Sequence, residues 1–354
     1  MKNIIITGGG TAGHVTPNIA LFPYLKDVGY TIYYIGTQNG IEKELIPKEK
    51  IEFFAINAGK LRRYLDFKNV TDVFKIFSGF MQSLSLIKKL KPEVIFSKGG
   101  FVACPVVWAG WICKVPTIIH ESDITPGLTN RLCIPFANKI CYTFPETQKY
   151  LPAEKAVLTG IPIRKSLSTG SKQKGFEICG FSPEKPVIVI IGGSQGAENI
   201  NKFIRKILKS LLEGFQVCHI CGKGNIDQNY TGIKGYRQFE YISDEQPHIY
   251  AIADLFISRA GATAIFEILA LRKPNLLIPL SKKASRGDQI LNAKSFEKQG
   301  FSKVIMEEDL TEQSLLDNIR EVYAQRSKYI ACMEKNAVGA AENKIIDLIK
   351  EISQ

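Results

Sequence analysis

The chain has 354 residues, is 45% hydrophobic and carries a formal net charge of +12. That length is comfortable for two domains of ordinary size, and the composition is that of a globular protein with sizeable cores. No stretch approaches the roughly 20 apolar residues of a membrane span; the longest, near Phe101 to Ile119, is broken by Pro105, Lys114 and Pro116.

Met1 and Lys2 run straight into a short β-branched strand over 2–7, too short to be a secretory leader, which predicts a cytoplasmic protein. Gly8-Gly9-Gly10-Thr11-Ala12-Gly13-His14 follows, then a helical pattern through Leu25. Further strands are expected near 31–36, 93–97, 116–120 and 139–143. Between Lys60 and Lys91 stand eight basic residues and two acids, half of the chain's net charge in under a tenth of its length. In the same stretch Val70, Val73, Phe74, Phe77, Phe80, Met81, Leu84 and Ile87 recur at helical spacing. Much of that stripe must face a core. Ile76 and Phe80 widen it, however, and Arg62, Arg63, Lys68, Lys75, Lys88 and Lys89 surround it. Apolar residues rimmed by cations suit an anionic lipid surface, so Ile76, Phe80, Lys75 and Lys88 are the expected membrane contacts. A core-facing helix is the plainer alternative, and no nucleic-acid-binding motif appears.

Ser97-Lys98-Gly99-Gly100-Phe101 is another glycine turn, and the polar loop His120-Glu121-Ser122-Asp123-Ile124-Thr125-Pro126-Gly127 follows an apolar strand. Gly160-Ile161-Pro162-Ile163-Arg164 closes the first half, and a Ser/Gly/Lys-rich stretch follows. This predicts domains at 1–163 and 164–340, with a C-terminal helix in 341–354 able to pack back on the first. The second half repeats the plan. Strands are expected near 187–191, 216–220, 237–241, 254–258 and 275–279, with turns at Gly192-Gly193-Ser194-Gln195-Gly196-Ala197, Arg259-Ala260-Gly261-Ala262-Thr263 and Ser285-Arg286-Gly287-Asp288-Gln289. Continuous apolar strands alternating with amphipathic helices imply two α/β domains, each a doubly wound parallel sheet of Rossmann-like type, with a cleft between them.

Glycine turns after strands aim backbone N–H groups and a helix N-terminus at an anion. A nicotinamide dinucleotide would require an acid at the end of the second strand. Here the strands end Tyr34-Ile35-Gly36-Thr37 and Ile220-Cys221-Gly222-Lys223. Neither turn carries the Gly-Lys-Ser/Thr ending of a nucleoside triphosphatase. The eight cysteines are scattered apart from Cys218 and Cys221, which lie in an apolar strand and lack a second pair for zinc. No Asp-X-Asp pair offers a metal, so helix N-termini and loop amides are expected to stabilise an anionic leaving group with no metal and no cofactor. His14 suits a general base because imidazole titrates near neutrality. Donating a hydrogen bond to phosphate is its rival role, and Asp123 is the next candidate base.

Taken together the motifs resemble the MurG family, the UDP-N-acetylglucosamine transferases that convert lipid I to lipid II. The resemblance rests on Gly9 to His14, Lys98 to Phe101, His120-Glu121 with Gly127-Leu128-Thr129-Asn130, Gly160 to Arg164, Gly192 to Ala197, Arg259 to Ala262 with Glu267, and Asp288-Gln289 with Asn292-Ala293. They lie in family order and span nearly the whole chain. The resemblance implies a GT-B-type glycosyltransferase, inverting at the donor sugar and acting on the 4-hydroxyl of the muramyl unit of lipid I at the cytoplasmic face of the membrane. It implies donor contacts from Thr11, Gly13, Arg164, Ser194, Gln195, Ile242, Ala262, Thr263, Glu267, Asp288 and Gln289. Among these, the Ile242 backbone and Arg164 would meet uracil, Glu267 the ribose, and Asp288 with Gln289 the sugar. Gly99, Gly100 and Glu121 would belong to the acceptor side. Asp288, Asp123 and Phe101 depart from the residues that many members carry there (Gln, Asn and Tyr). A glycosyltransferase with a diacylglycerol acceptor, and a UDP-GlcNAc 2-epimerase of the same fold, are the alternatives.

Overall fold

The computed structural model describes residues 2–59, 68–193, 196–282, 287–335 and 341–353, with side chains of the helix beginning at Lys68 described from Phe74 onward. Ser194, Gln195, Arg62 and Arg63, and the side chain of Lys68, lie outside the described residues. The chain forms two compact units, Met1–Arg164 with Gly339–Gln354, and Lys165–Val338.

Unit 1 contains β1 (Lys2–Thr7), α1 (Ala12–Asp27), β2 (Tyr30–Thr37), α2 (Glu42–Leu45), β3 (Glu52–Ile56), α3 (Lys68–Leu90), β4 (Val94–Ser97), α4 (Ala103–Ile112), β5 (Thr117–Glu121), α5 (Leu128–Cys133), β6 (Lys139–Tyr142) and β7 (Ala156–Leu158). Unit 2 contains α6 (Lys172–Cys179), β8 (Val187–Ile191), α7 (Glu198–Gly214), β9 (Gln216–Ile220), β10 (Tyr236–Phe239), α8 (Gln246–Ile252), β11 (Ala253–Ser258), α9 (Ala262–Ala270), β12 (Asn275–Leu277), α10 (Asp288–Lys298), β13 (Lys303–Val304), α11 (Glu312–Ala324) and α12 (Arg326–Glu334). The last helix, α13 (Ala341–Ile352), belongs to unit 1.

The strand orders are β3-β2-β1-β4-β5-β6-β7 and β10-β9-β8-β11-β12-β13, with every pairing parallel. A central strand of such a sheet is covered on both faces, which is why Ile4-Ile5-Ile6 and Val187-Ile188-Val189-Ile190 are unbroken aliphatic runs at 0% exposure. In unit 1, Ile4 and Ile6 pack with α1 and α13, whereas Ile5 packs with Ile87 of α3 and Val106 of α4. Ile345, Ile346, Leu348 and Ile349 of α13 enter the first of these cores. At roughly 1.5–3 kcal/mol per fully buried aliphatic side chain, tertiary packing holds a helix that would be marginal alone. In each order the neighbours of the first strand run in opposite directions along the sheet, so the turns after β1 and β8 sit at the switch point where open parallel sheets bind ligands.

One expectation needs correcting. On α3 the inward stripe is Phe80, Leu84 and Ile87, with Phe80 packed on the core, while Ile76 is half-buried. The outward apolar residues are Phe74, Phe77 and Met81, at 70%, 63% and 51% exposure. Their spacing of three and four residues defines a separate face. Lys75, Lys88 and Lys89 are exposed beside it. Among the described residues no helix is long and apolar enough to cross a membrane.

Candidate active site

In unit 1 the turn after β1 is closed over by protein. A Cβ on Gly9 would lie 2.3 Å from a Glu42 carboxylate oxygen, and one on Gly10 2.9 Å from the Phe101 ring. A Cβ on Gly100, from the turn after β4, would lie 2.2 Å from the Gly9 carbonyl oxygen. Glu42, fully buried in α2, accepts from the Gly10 N–H at 3.0 Å, the Thr37 N–H at 2.9 Å and the Thr37 hydroxyl at 2.6 Å. Gly36 and Gly40 make room for the same carboxylate. The turn therefore already holds an anion of its own chain. Sequence reasoning missed Glu42, because only the pairing of β1 with β2 brings it under the turn.

His14 is half-buried in the first turn of α1, next to the half-buried Gly13. Its Nδ1 lies 2.9 Å from the hydroxyl of Thr11, the exposed N-cap residue. The tautomer decides what the ring can do. If Nδ1–H donates to Thr11, Nε2 carries a lone pair and can accept a proton. If the Thr11 hydroxyl donates instead, Nε2–H is a donor suited to phosphate.

The loop after β5 is organised by Glu121. Buried at 5% exposure, it accepts from the Asp123 N–H at 3.0 Å, the Gly127 N–H at 3.0 Å and the Asn130 amide at 2.8 Å. Burial raises its carboxyl, Asp123 adds to this, and the hydrogen bonds work against it. Its oxygens are thus engaged in shaping the loop that presents the half-buried Asp123. Gly99 and Gly100 adopt left-handed backbone at φ 91° and 81°. His120 is buried and donates from Nε2 to the Gly160 carbonyl at 2.8 Å; burial and then Lys98 hold it neutral. Lys98 itself is buried, and its ammonium donates to the Ser122 hydroxyl. Arg164, half-buried, follows Ile163, whose N–H donates to Glu342 of α13 at 2.6 Å.

In unit 2 the turn after β8 is packed at both ends, where a Cβ on Gly192 would lie 2.6 Å from the Ala197 nitrogen and one on Gly196 2.3 Å from the Cys221 carbonyl oxygen, and is open among the described residues at Gly193. Gly193 has φ 90°, and a Cβ there would meet nothing within 4 Å among the described residues. The same holds for Gly261, the N-cap of α9, whose φ of −68° suits any residue. Ala262 and Thr263 form the first turn of that helix, and Glu267 lies on its second turn at 7% exposure. The Gln246 amide at the start of α8 donates to Glu267 Oε2 at 3.3 Å, a brace that the sequence did not suggest. Ile242 is buried shortly before α8. Asp288 opens α10 and is half-buried. Gln289 accepts the Leu280 N–H through Oε1 at 3.0 Å, which fixes the loop after β12. Asn292 of α10 donates to the Ala260 carbonyl at 3.2 Å, so the starts of α9 and α10 are tied together.

Behind these turns Arg259 and Glu307 form a buried ion pair at 2.5 Å. Arg259 also donates to the carbonyls of Ile278 and Pro279, and Glu307 accepts from Ser281 N–H and Asn199. Burial pushes the Glu307 carboxyl up, but Arg259, Asn199 and the Ser281 N–H together hold it below the usual range. Cys218 and Cys221 are buried. His219 between them bonds Tyr236 and Asn201, and burial pushes its imidazole down to about 3. Among the described residues no group of His, Cys, Asp and Glu is arranged to hold a metal ion.

A model of the glycosyltransferase family 28 N-terminal domain matches residues 4–142, and one of the family's C-terminal domain matches residues 187–352. A protein of Clostridium tetani is 55% identical over 350 residues, covering 99% of this chain and 98% of its own. One of Lachnoclostridium phytofermentans is 57% identical over 352 residues, covering 99% of each. Both bear the name UDP-N-acetylglucosamine–N-acetylmuramyl-(pentapeptide) pyrophosphoryl-undecaprenol N-acetylglucosamine transferase. The crystal structure of Acinetobacter baumannii MurG superposes with a TM-score of 0.76 at 26% identity, covering 99% of this chain and 100% of that one. A UDP-GlcNAc 2-epimerase from Neisseria meningitidis bound to UDP-GlcNAc shares the fold, with a TM-score of 0.67 at 14% identity and coverage of 99% and 100%.

Proposed function

The chain belongs to glycosyltransferase family 28 and, within it, to the MurG family, and on that footing we infer how its two units share the transfer of N-acetylglucosamine from UDP-N-acetylglucosamine to lipid I, which yields lipid II. Unit 2 holds the donor. The observation that carries this is helix α9, whose N-cap Gly261 leaves room for a close approach and whose second turn presents the buried Glu267. Its N-terminal amides and positive dipole end suit the diphosphate, and a carboxylate six residues further on suits the two ribose hydroxyls. The left-handed Gly193 turn supports a second amide contact with the diphosphate. Ser194 and Gln195 belong to that turn, and the Ile242 backbone and Arg164 are the uracil contacts. Asp288, and the amide nitrogen of Gln289, read the sugar.

Unit 1 activates the acceptor. His14, as the Nδ1–H tautomer steadied by Thr11, takes the proton from the 4-hydroxyl of the muramyl sugar. The oxygen attacks C1 of N-acetylglucosamine, the bond from C1 to the diphosphate oxygen breaks, and UDP leaves with its charge met by helix N-termini. One in-line displacement inverts C1 and gives a β-linked product. Asp123 serves the acceptor hydroxyl with His14 or in its place; Thr11 and Gly13 line the same turn, and Gly99, Gly100 and Glu121 shape the acceptor side.

Attachment to the anionic cytoplasmic membrane surface is peripheral, through Phe74, Phe77 and Met81 of α3 with Lys75, Lys88 and Lys89 beside them. Trp111 and Ile112 are also exposed, at the end of the neighbouring α4. The test of the whole scheme is incubation with labelled UDP-N-acetylglucosamine and lipid I. Labelled lipid and stoichiometric UDP are expected. Conversion of the donor without acceptor would point to the epimerase chemistry instead.

A further inference from the structure

We propose that Glu307 is a positioning residue for recognition of the donor sugar: from just beyond the edge strand β13 its carboxylate cross-links the segments that follow β8, β11 and β12, and so holds in place the loop that anchors Gln289. This deepens the reading of unit 2 as the donor-holding unit and rests on Gln289 reading the sugar.

The contacts of the carboxylate come from three separate segments. Oε1 accepts from the guanidinium of Arg259, the residue that leads from β11 toward α9, at 2.5 Å, and from the amide of Asn199, in the first turn of α7, at 3.1 Å. Oε2 accepts the Ser281 N–H, beyond β12, at 3.2 Å. The side chains of Arg259 and Glu307 are 9% and 8% exposed. The strands lie in the order β8-β11-β12-β13, so one side chain at the edge reaches back to the ends of the other three. Taking a carboxylate and a guanidinium out of water costs about as much as their attraction returns, so such a pair contributes little net stability. What it fixes is where Ile278 to Ser281 lie.

That segment is the one the sheet holds least. Arg259 keeps its own N–H on the Ile191 carbonyl at 3.3 Å, and α7 is packed along its length by Ile200, Ile204, Ile207 and Leu211. After β12 the ladder ends with the Ile278 N–H, which donates to the Ser258 carbonyl at 2.8 Å. From there side chains take over. Arg259 donates to the Ile278 and Pro279 carbonyls, Gln289 accepts the Leu280 N–H, and Glu307 accepts the Ser281 N–H. The bond to Leu280 links the clamp to recognition. The oxygen that anchors the loop and the amide nitrogen assigned to the sugar belong to the same Gln289 side chain, so a shift of Leu280 turns the group that reads the sugar. Glutamine cannot stand in for Glu307. Its partners are all donors, placed on both oxygens, whereas an amide offers one oxygen and a donating NH2.

The experiment compares the affinities of UDP and UDP-N-acetylglucosamine by calorimetry, since the two ligands differ by the sugar. Glu307→Gln should weaken UDP-N-acetylglucosamine binding about five- to tenfold and leave the Kd of UDP within about twofold. Arg259→Met combined with Glu307→Met removes the buried charges together with the clamp. It should melt near the wild-type temperature and still show the sugar-specific loss. A double variant that binds UDP-N-acetylglucosamine as well as the wild type would overturn the proposal, because packing alone would then hold the loop. Equal losses for the two ligands in Glu307→Gln would overturn it as well, as the mark of a donor unit softened throughout. Failure of both variants to fold would do the same, by making the pair a requirement of the core. Gln289→Ala separates the clamp from the reading beneath it. If Gln289→Ala leaves both affinities unchanged while Glu307→Gln shows the sugar-specific loss, the clamp stands and another residue reads the sugar. If Gln289→Ala shows that loss and Glu307→Gln does not, Glu307 is not a positioning residue.

Discussion

The two sheets each begin with a strand, a glycine turn and a helix, yet the glycines answer different demands. After β1 they exist because protein presses against them: Asn18 and Lys98 at Gly8, the Glu42 carboxylate at Gly9 and the Phe101 ring at Gly10 fill the space of any Cβ. After β8, Gly192 and Gly196 are pressed in the same way by Ala197 and Cys221, but Gly193, and Gly261 after β11, have no such neighbour among the described residues. A glycine demanded by packing marks a rigid platform, whereas one with open space beside it leaves an approach for something outside the chain. The first kind supports His14 and Asp123, and the second suits a diphosphate.

The largest effect expected is at His14, on the platform. His14→Ala should lower kcat by roughly 10²- to 10⁴-fold while folding and UDP affinity persist, if the imidazole is the base. Parallel loss of UDP affinity would make His14 a hydrogen-bond donor to phosphate and blur the contrast between the turns. Gly100→Ala comes next. Its φ of 81° and a contact of 2.2 Å with a backbone oxygen leave the added methyl no relief, so a loss of more than about 3 kcal/mol in chemical denaturation is expected. Glu267→Ala should weaken UDP binding by about 2–3 kcal/mol if its carboxylate accepts the two ribose hydroxyls as proposed; unchanged binding in calorimetry would take Glu267 out of the donor site. Gly261→Ala is the sharpest partner to Gly100→Ala. Its melting temperature should match the wild type, because neither φ nor space opposes a methyl, yet UDP should bind more weakly by about 1 kcal/mol or more as the close approach to α9 is obstructed. An alanine there that leaves UDP affinity intact would end the distinction between the two kinds of glycine. The smallest effects per residue belong to α3. Phe74→Ser with Phe77→Ser should reduce binding to anionic vesicles and leave transfer to a short-chain acceptor unchanged, whereas Ile76→Ser with Phe80→Ser should chiefly destabilise unit 1. Lys75 and Lys88 changed to Gln should each cost about 1 kcal/mol of vesicle binding.

What could be read in advance was what is local in the chain. Strands β1, β4, β5, β8, β9 and β11 are buried aliphatic runs, and composition alone marks them. The edge strands β3 and β7, and the two-residue β13, went unread because their residues are largely half-exposed and short of a repeating pattern. The glycine turns and Glu267 were legible because a turn and the helix after it are contiguous. Glu42, Lys98 and Gln246 were not, because they act on Gly10, Ser122 and Glu267, which stand 32, 24 and 21 positions away. The register of α3 misled for another reason. Apolar residues occur on both of its faces, so their spacing reveals a helix without saying which face turns inward.

The return of α13 to unit 1 has a consequence for how the protein is made. Unit 2 is inserted, in covalent order, inside unit 1, and the β1 sheet lacks Ile345, Ile346, Leu348 and Ile349 on one face until α13 has been synthesised. On the ribosome unit 2 is therefore expected to reach its native fold while the older half of the nascent chain is still incomplete. Stalling synthesis just before α13 and treating the chain with protease should leave unit 2 resistant and unit 1 susceptible.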